Sequence, residues 1–388
     1  MRIGIFTDTY FPQINGVSTS ICTLKESLEH AGHTVFIFTT TDSKEKKKDI
    51  TSHIYRVPSV PVAKNRRLGV YFSRTLLRLI RNLELDLIHT HTEFSVGLLG
   101  CVCARRLKIP HVHTYHTMYE EYTHHIIRIK RLEGYAKVAA RKLSARFCAI
   151  PDQIIAPSEK VKELLQSYGV DANINVVPTG IDSDKFHYDP EMKVKILELK
   201  ESLGIQPDHK VILYIGRIAK EKNVTELIHF LSDFLKEDSD YKLLFVGDGP
   251  DMNKLQELRE SYQLKDQIIF AGEIPWEEIG VYYHLGDVFV SASQSETQGL
   301  TYYEALAAGI PILVKSDPCT DHIVIEGVNG YTYHNQEDFI DKLKRILMSP
   351  HHLIDEDMED DHDMDQYGVQ TFFDQMEALY KGAILEEL

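Results

Sequence analysis

The sequence predicts an α/β protein built from two doubly wound parallel sheets, and three observations carry that prediction. Short apolar runs alternate with helical patterns along nearly the whole chain, as in parallel sheets whose faces are covered by helices. The runs are continuous rather than alternating, as strands buried on both faces must be. The alternation lapses once, at Val177–Asp182 and the polar segment FHYDPEMKVKILELKESLGIQPDHK, and restarts at Lys210. At 388 residues the chain is too long for one ordinary domain and suits two of middling size. The expected domains are residues 1–190 with a last helix over 367–388, and residues 191–366.

In the first domain, Arg2–Thr7 reads as a buried strand ended by Asp8. The loop TYFPQINGV then opens a helix from Val17 to His30, with Gly32 as its stop. A glycine loop between first strand and first helix puts Gly16 where such sheets hold a phosphate, although Asn-Gly alone is an ordinary turn. Further strands are expected at Thr34–Thr39, His53–Val57, Asp86–Thr90, His111–Tyr115, Gln153–Ala156 and Ile174–Val177. Ser158 caps the helix that begins at Glu159. His116 follows the strand HVHTY, where a ligand is in reach and an imidazole can take or give a proton near neutral pH. The chain has nineteen histidines, so position rather than residue type singles it out. His89 and His91 end the preceding strand and are weaker candidates.

In the second domain, KVILYIGRIAKEKN places Arg217 and Lys222 around a turn after an apolar strand. Such a pair can grip two phosphates, Arg as a fork and Lys as a point charge. LLFVGDGP is another strand and glycine loop, and contains Gly249. The stretch SASQSETQGLTYYEALAAGIPILV follows a buried strand. It reads as a loop, a helix over Tyr302–Ala308 stopped by Gly309, and a strand over Ile310–Val314. Glu296 and Glu304 stand with seven residues between them. The backbone amides of Gln298, Gly299, Leu300 and Thr301 would suit a phosphate, since a helix N-terminus concentrates unpaired donors. Carboxylates accept paired hydrogen bonds from vicinal hydroxyls, so a sugar at one end and a ribose at the other would use both. A nucleotide sugar fits this pattern. The plainer reading makes Glu296 a solvated loop residue and Glu304 a first-turn acid that favours the helix dipole.

Composition narrows the setting. No run of eighteen apolar residues spans a membrane, the N-terminus is a strand pattern, and five scattered cysteines suit reduced thiols in a cytoplasm. Cys101 and Cys103 lie two apart in a helical pattern, face different ways and are not read as metal ligands. Residues 1–180 hold 25 basic and 16 acidic residues, leaving 18 and 42 for the rest of a chain whose net charge is −15. A basic half on an acidic protein points to a polyanionic partner, nucleic acid or an anionic membrane. KNRRLGVYFSRTLLRLIRNL places Arg67, Arg74, Arg78 and Arg81 near one face at helical spacing, with Leu68, Phe72, Leu76, Leu79 and Leu83 beside another. RIKRLEGYAKVAARKLSARF repeats the device. Such clusters are either surface helices packed on the core or a basic amphipathic surface that lies on anionic lipid. No zinc-finger spacing, RRM phrase or Gly-x-x-Gly clamp supports nucleic acid. The acidic run IDEDMEDDHDMDQ reads as a solvated linker.

The phrase ETQGLTYYEALAAGIP resembles the E-x7-E signature of the retaining glycosyltransferase family that includes sucrose and phosphatidylinositol mannoside synthases. GRIAKEKN resembles that family's GRxxxEKN phrase, and YFPQINGV its YFPPxxGG opening. HTMYEEYTHH resembles still more closely the HTxYExYxHY phrase of bacterial diacylglycerol glucosyltransferases. The resemblance covers nearly the whole chain and implies the GT-B architecture: two Rossmann-like domains facing a cleft, with the C-terminal helix crossing back to the first. It implies that His116 and Glu296 act on the transferred sugar. Arg217 and Lys222 would hold the donor diphosphate, and Gly16 and Gly249 would lie close to the donor. Gln298, Gly299, Leu300 and Thr301 would hold sugar and phosphate, and Glu304 the ribose hydroxyls. The implied reaction moves glucose from a UDP-sugar to a membrane lipid, 1,2-diacylglycerol, without metal or cofactor. The implied location is the inner face of the cell membrane, as a peripheral protein. A soluble sugar, polysaccharide or protein acceptor stays open, as do an epimerase of similar fold and a non-catalytic membrane adaptor. A nicotinamide-dependent enzyme would want Gly-x-Gly-x-x-Gly after a first strand, and neither half has it.

Overall fold

The computed structural model describes residues 1–13, 15–41, 53–63, 66–69, 74–120, 130–348 and 367–386. The acidic run Ile354–Gln366, Phe72 and the Glu121–His125 end of HTMYEEYTHH lie outside them. The chain divides into two units, Met1–Gly180 with Asp365–Leu388, and Ile181–Met364.

The first unit carries β1 (Arg2–Phe6), β2 (Thr34–Thr40), β3 (Ile54–Val57), β4 (Ser59–Ala63), β5 (Arg66–Gly69), β6 (Leu87–Thr90), β7 (His111–Thr114), β8 (Gln153–Ala156) and β9 (Ile174–Val176). Seven of these form a parallel sheet in the order β3-β2-β1-β6-β7-β8-β9, with Ile3 opposite both Val35 and Leu87. Its helices are α1 (Gly16–His30), α2 (Arg74–Asn82), α3 (Ser95–Leu107), α4 (Lys130–Cys148) and α5 (Glu159–Ser167). Side chains alternate across a strand. Ile3 and Ile5 therefore face one core with Ile21, Leu24 and Leu28 of α1. Phe6 faces the other with Phe38, Ile88 and Leu99, its ring stacked on Phe38 at 4.5 Å.

Arg67 corrects the helical reading of the first basic cluster. It lies in β5, which pairs antiparallel with β4, and its Nη2 donates to Ser59 O at 2.9 Å. Arg66–Gly69 are held in the strand by this ladder and by the Gly69 N bond to Ser95 Oγ, and the helix of the cluster is described over Arg74–Asn82. Leu68 sits on the same short ladder and is partly exposed.

The second unit holds α6 (Met192–Ser202), β10 (Lys210–Ile215), α7 (Val224–Glu237), β11 (Tyr241–Val246), α8 (Met252–Tyr262) and β12 (Ile268–Gly272). It continues with α9 (Ile279–Tyr283), β13 (Val288–Ser291), α10 (Leu300–Ala307), β14 (Ile312–Lys315), β15 (Gly330–Tyr333) and α11 (Gln336–Met348). The six strands are parallel, in the order β12-β11-β10-β13-β14-β15. Ile212, Phe245, Val290 and Leu313 of the sheet close a core with Leu227 and Leu231 of α7 and Phe339 of α11.

The last helix, α12 (Val369–Glu386), belongs to the first unit. Its Phe372, Met376 and Tyr380 are buried in the Ile3–Leu24 core, and Glu377 meets His33 Nε2 at 3.0 Å. Each sheet reverses its strand order once, between β1 and β6 in the first unit and between β10 and β13 in the second. Open parallel sheets bind ligands outside the carboxyl ends of the strands at such a reversal.

Candidate active site

In the second unit, the loops after β10 and β13 leave neighbouring strands at the reversal, and they bring two of the predicted motifs together. Lys222 Nζ donates to Glu296 Oε1 at 2.6 Å, and both side chains are mostly buried. Ser295 Oγ donates to Glu221 O at 2.8 Å, a second tie between the same loops. Arg217 Nη1 lies 3.5 Å from the buried Glu221 carboxylate while its side chain is 45% exposed, so Arg217 is oriented yet accessible. Tyr214 Oη donates to Arg217 O and fixes the backbone there.

The loop after β11 closes against this one. Ile218 N donates to Asp248 O and Asp251 N to Ile218 O, both at 3.1 Å. A Cβ on Gly249 would stand 2.0 Å from Ile218 O, which explains why that position carries glycine.

The helix of the E-x7-E stretch begins at Leu300, two residues earlier than its periodicity suggests. Gly299 precedes it at φ +78, where L side chains are disfavoured. Glu304 therefore falls in the second turn, and the helix-dipole reading loses its basis, since that effect fades beyond the first turn. Glu304 is instead buried and accepts a hydrogen bond from Tyr283 Oη at 2.6 Å. Burial pushes its carboxyl up to about 7, and the Tyr283 bond offsets this only in part. The N-cap residue is a glycine and makes no side-chain cap bond, so the first-turn amides of Leu300 and Thr301 are placed to meet an outside acceptor. Gln298, just before, is buried.

In the first unit α1 starts at Gly16, one residue early, because Asn15 makes a capping box. Its Oδ1 accepts from Val17 N and Ser18 N at 3.1 Å, and Ser18 Oγ accepts from Asn15 N at 3.0 Å. The cap occupies two amides that a phosphate would want, while the Gly16 amide heads the helix at an exposed position.

His116, half-buried after β7, continues into a row of imidazoles. Its Nε2 lies 2.8 Å from His91 Nδ1, with the rings stacked at 5.1 Å. His91 Nε2 lies 3.1 Å from His89 Nδ1. His89 Nδ1 also meets Tyr380 Oη at 2.7 Å, and His89 Nε2 meets Thr114 Oγ1 at 2.8 Å. Burial pushes all three imidazoles well down, His116 to about 3 with a further push from His113, so they are neutral at physiological pH. A second buried group joins Tyr119 and His113 to the Glu93 carboxylate. Sequence reasoning missed Tyr283, Glu93 and Tyr380, and no local pattern marks any of them.

Cys101 and Cys103 are buried and free in α3. Among the described residues no group of three or more His, Cys, Asp or Glu side chains is arranged to hold a metal. No described helix is long and apolar enough to cross a membrane. On α2, Arg74, Arg78 and Arg81 are exposed. α4 exposes Tyr135, Val138 and Leu143 beside Arg141, Lys142 and Arg146.

Residues 14–185 match the family described as Glycosyltransferase Family 4, and residues 195–371 that described as Glycosyl transferases group 1. The alpha-monoglucosyldiacylglycerol synthase of Streptococcus pneumoniae is 43% identical, over 90% of this chain and 79% of its own. The chain belongs to this glycosyltransferase family. The enzyme of the same name from Acholeplasma laidlawii is 36% identical to the glycosyltransferase, over 90% of this chain and 89% of its own. Among solved structures, the sucrose-phosphate synthase of Thermosynechococcus elongatus gives a TM-score of 0.76 at 19% identity, over 99% of each chain. Anabaena HepE in complex with UDP and glucose gives 0.75 at 15% identity, over 98% of this chain and 99% of its own. The glycosyltransferase shares with them the GT-B fold of two Rossmann-like halves.

Proposed function

We propose that the enzyme transfers glucose from UDP-glucose to 1,2-diacylglycerol with retention of the anomeric configuration. The observation that carries the donor half is the meeting of Arg217, Lys222 and Glu296 at one strand reversal, with Lys222 2.6 Å from Glu296. Arg217 and Lys222 hold the diphosphate and stabilise the charge it gains as the glycosyl bond breaks. The amides of Leu300 and Thr301 add donors to the same anion, and the Gly16 amide of the first unit is assigned to a donor phosphate. Glu304 accepts from the ribose hydroxyls. Glu296, with Gln298 and Gly299, contacts the donor sugar, as does His116. Gly249 keeps the loop that carries Arg217 in place. The two cations and the helix amides supply the charge that a metal ion would otherwise bring.

The lipid half rests on two supports. Two relatives above one-third identity are named as monoglucosyldiacylglycerol synthases. The exposed face of α4 combines basic and large apolar side chains, the composition of a surface that lies on anionic lipid. The enzyme is thus peripheral on the cytoplasmic face of a membrane.

The test is mass spectrometry of products from a panel of UDP- and GDP-sugars offered with vesicles containing diacylglycerol. Monoglucosyldiacylglycerol from UDP-glucose, with the anomeric configuration kept by NMR, is the expected product. Transfer only to a soluble acceptor overturns the lipid assignment, and an isomerised nucleotide sugar without any acceptor overturns transfer itself.

A further inference from the structure

The row His116, His91, His89, Tyr380 joins a residue of the last helix to the histidine read above as meeting the sugar. Each link is within hydrogen-bond distance: 2.8, 3.1 and 2.7 Å. A neutral imidazole has one N–H donor and one bare acceptor nitrogen, and two bare nitrogens cannot face each other across a hydrogen bond. The protons of such a row must therefore all point the same way along it. Its end decides the direction. Tyr380 is fully buried, and among the described residues its hydroxyl has His89 Nδ1 as its hydrogen-bond partner. An unsatisfied buried hydroxyl proton is costly, so Tyr380 donates and His89 Nδ1 is bare. His89 Nε2–H then donates to Thr114 Oγ1. His91 Nε2–H shares the single lone pair of His89 Nδ1 with the tyrosine hydroxyl as the longer of the two contacts, since a bare nitrogen there would face another bare nitrogen. This leaves His91 Nδ1 bare to accept from His116 Nε2–H.

We propose that Tyr380 is a positioning residue that, through His89 and His91, sets the tautomer of His116 and leaves its Nδ1 bare to accept a hydrogen bond from a hydroxyl of the transferred sugar. The second half of this inference rests on the sugar-contact reading of His116. The first half does not. The low proton affinity of the three rings keeps the row uncharged, so it transmits a direction rather than a charge. α12 thereby gains a chemical task besides packing on the first unit.

The experiment is long-range 1H–15N NMR at neutral pH on the full chain labelled at histidine, with His116 assigned by difference from His116→Gln. Wild type is expected to show His116 protonated at Nε2 alone. Tyr380→Phe removes one oxygen and frees the row to run either way, so His116 becomes a mixture of tautomers. Thr114→Val removes the acceptor of His89 Nε2–H and shifts His116 toward Nδ1–H. In Tyr380→Phe, kcat falls about five- to tenfold, the weight of one neutral hydrogen bond, while UDP affinity holds. A His116 carrying its proton on Nδ1 in wild type, or an unchanged tautomer in both variants, overturns the relay. A shifted tautomer with unchanged kcat keeps the relay and overturns the contact between His116 and the sugar.

Discussion

Lys222 Nζ lies 2.6 Å from Glu296 Oε1, joining the loops after β10 and β13 across the strand reversal of the second sheet. Two ions this close and mostly shielded from water depend on each other, because removing one leaves the other desolvated and unpaired. Lys222→Ala should therefore lower both thermal stability and UDP affinity. The affinity loss should be about 1.5–3 kcal/mol, the worth of a charge-assisted bond. Adding Glu296→Gln should recover much of the stability and none of the affinity. Arg217→Ala should lose affinity with little change in stability. Calorimetric titration with UDP decides the matter, and unchanged affinity in both Lys222→Ala and Arg217→Ala would remove the diphosphate role.

Glu304 gives a pH prediction with a definite sign. Its folded carboxyl titrates near 7 against an ordinary value of 4.5, so the folded chain holds this proton more tightly than the unfolded one. Its contribution to stability is present below 4.5 and lost as pH rises to about 7, with no further change above. Binding the ribose hydroxyls calls for the ionised form, an acceptor at both oxygens. UDP affinity should then climb as pH rises through about 7, with a proton released on binding. Titrations in two buffers of different ionisation enthalpy measure that proton. Glu304→Gln should abolish it, whereas a slope that persists in the variant belongs to the phosphate.

Two glycines test whether close approach, rather than glycine as such, matters. A methyl at Gly249 would meet Ile218 O at 2.0 Å, a backbone atom that no rotamer change can move. Gly249→Ala should cost about 1–3 kcal/mol, as overpacking does, and weaken UDP binding by displacing the loop that carries Arg217. Gly134, inside α4, has open space where a methyl would stand, with nothing within 4 Å. Gly134→Ala should instead stabilise by roughly 0.5–1 kcal/mol. Denaturant titrations of the two variants should move in opposite directions.

The exposed face of α4 should bind anionic vesicles. Each basic residue near such a surface contributes about 1 kcal/mol, and salt screens the attraction beyond roughly 8 Å at physiological ionic strength. Co-sedimentation should rise with anionic-lipid content, fall with salt, and drop in Lys142→Glu/Arg146→Glu. Tyr135→Ser/Leu143→Ser should weaken it through lost apolar insertion. Equal binding to neutral and anionic vesicles would rule out this surface as the docking face.

The order of elements and the motif-bearing loops were legible in the sequence, because a strand buried on both faces must read as an unbroken apolar run. Boundaries were less so. The start of α10 depends on the left-handed conformation of Gly299, and the strand at Arg67 depends on a partner strand, neither of which leaves a trace in local periodicity. The site needed more than proximity along the chain. Strand order in a parallel sheet is decided by crossovers, so it is the reversal between β10 and β13 that sets Lys222 against Glu296, 74 positions away. The same holds for Tyr283 under Glu304 and for Tyr380 behind His89, where burial selects the partner of each polar group. Residue types were thus set by sequence, but which atom holds which proton is decided by the tertiary surroundings, since desolvation and hydrogen bonding act through space and not along the chain.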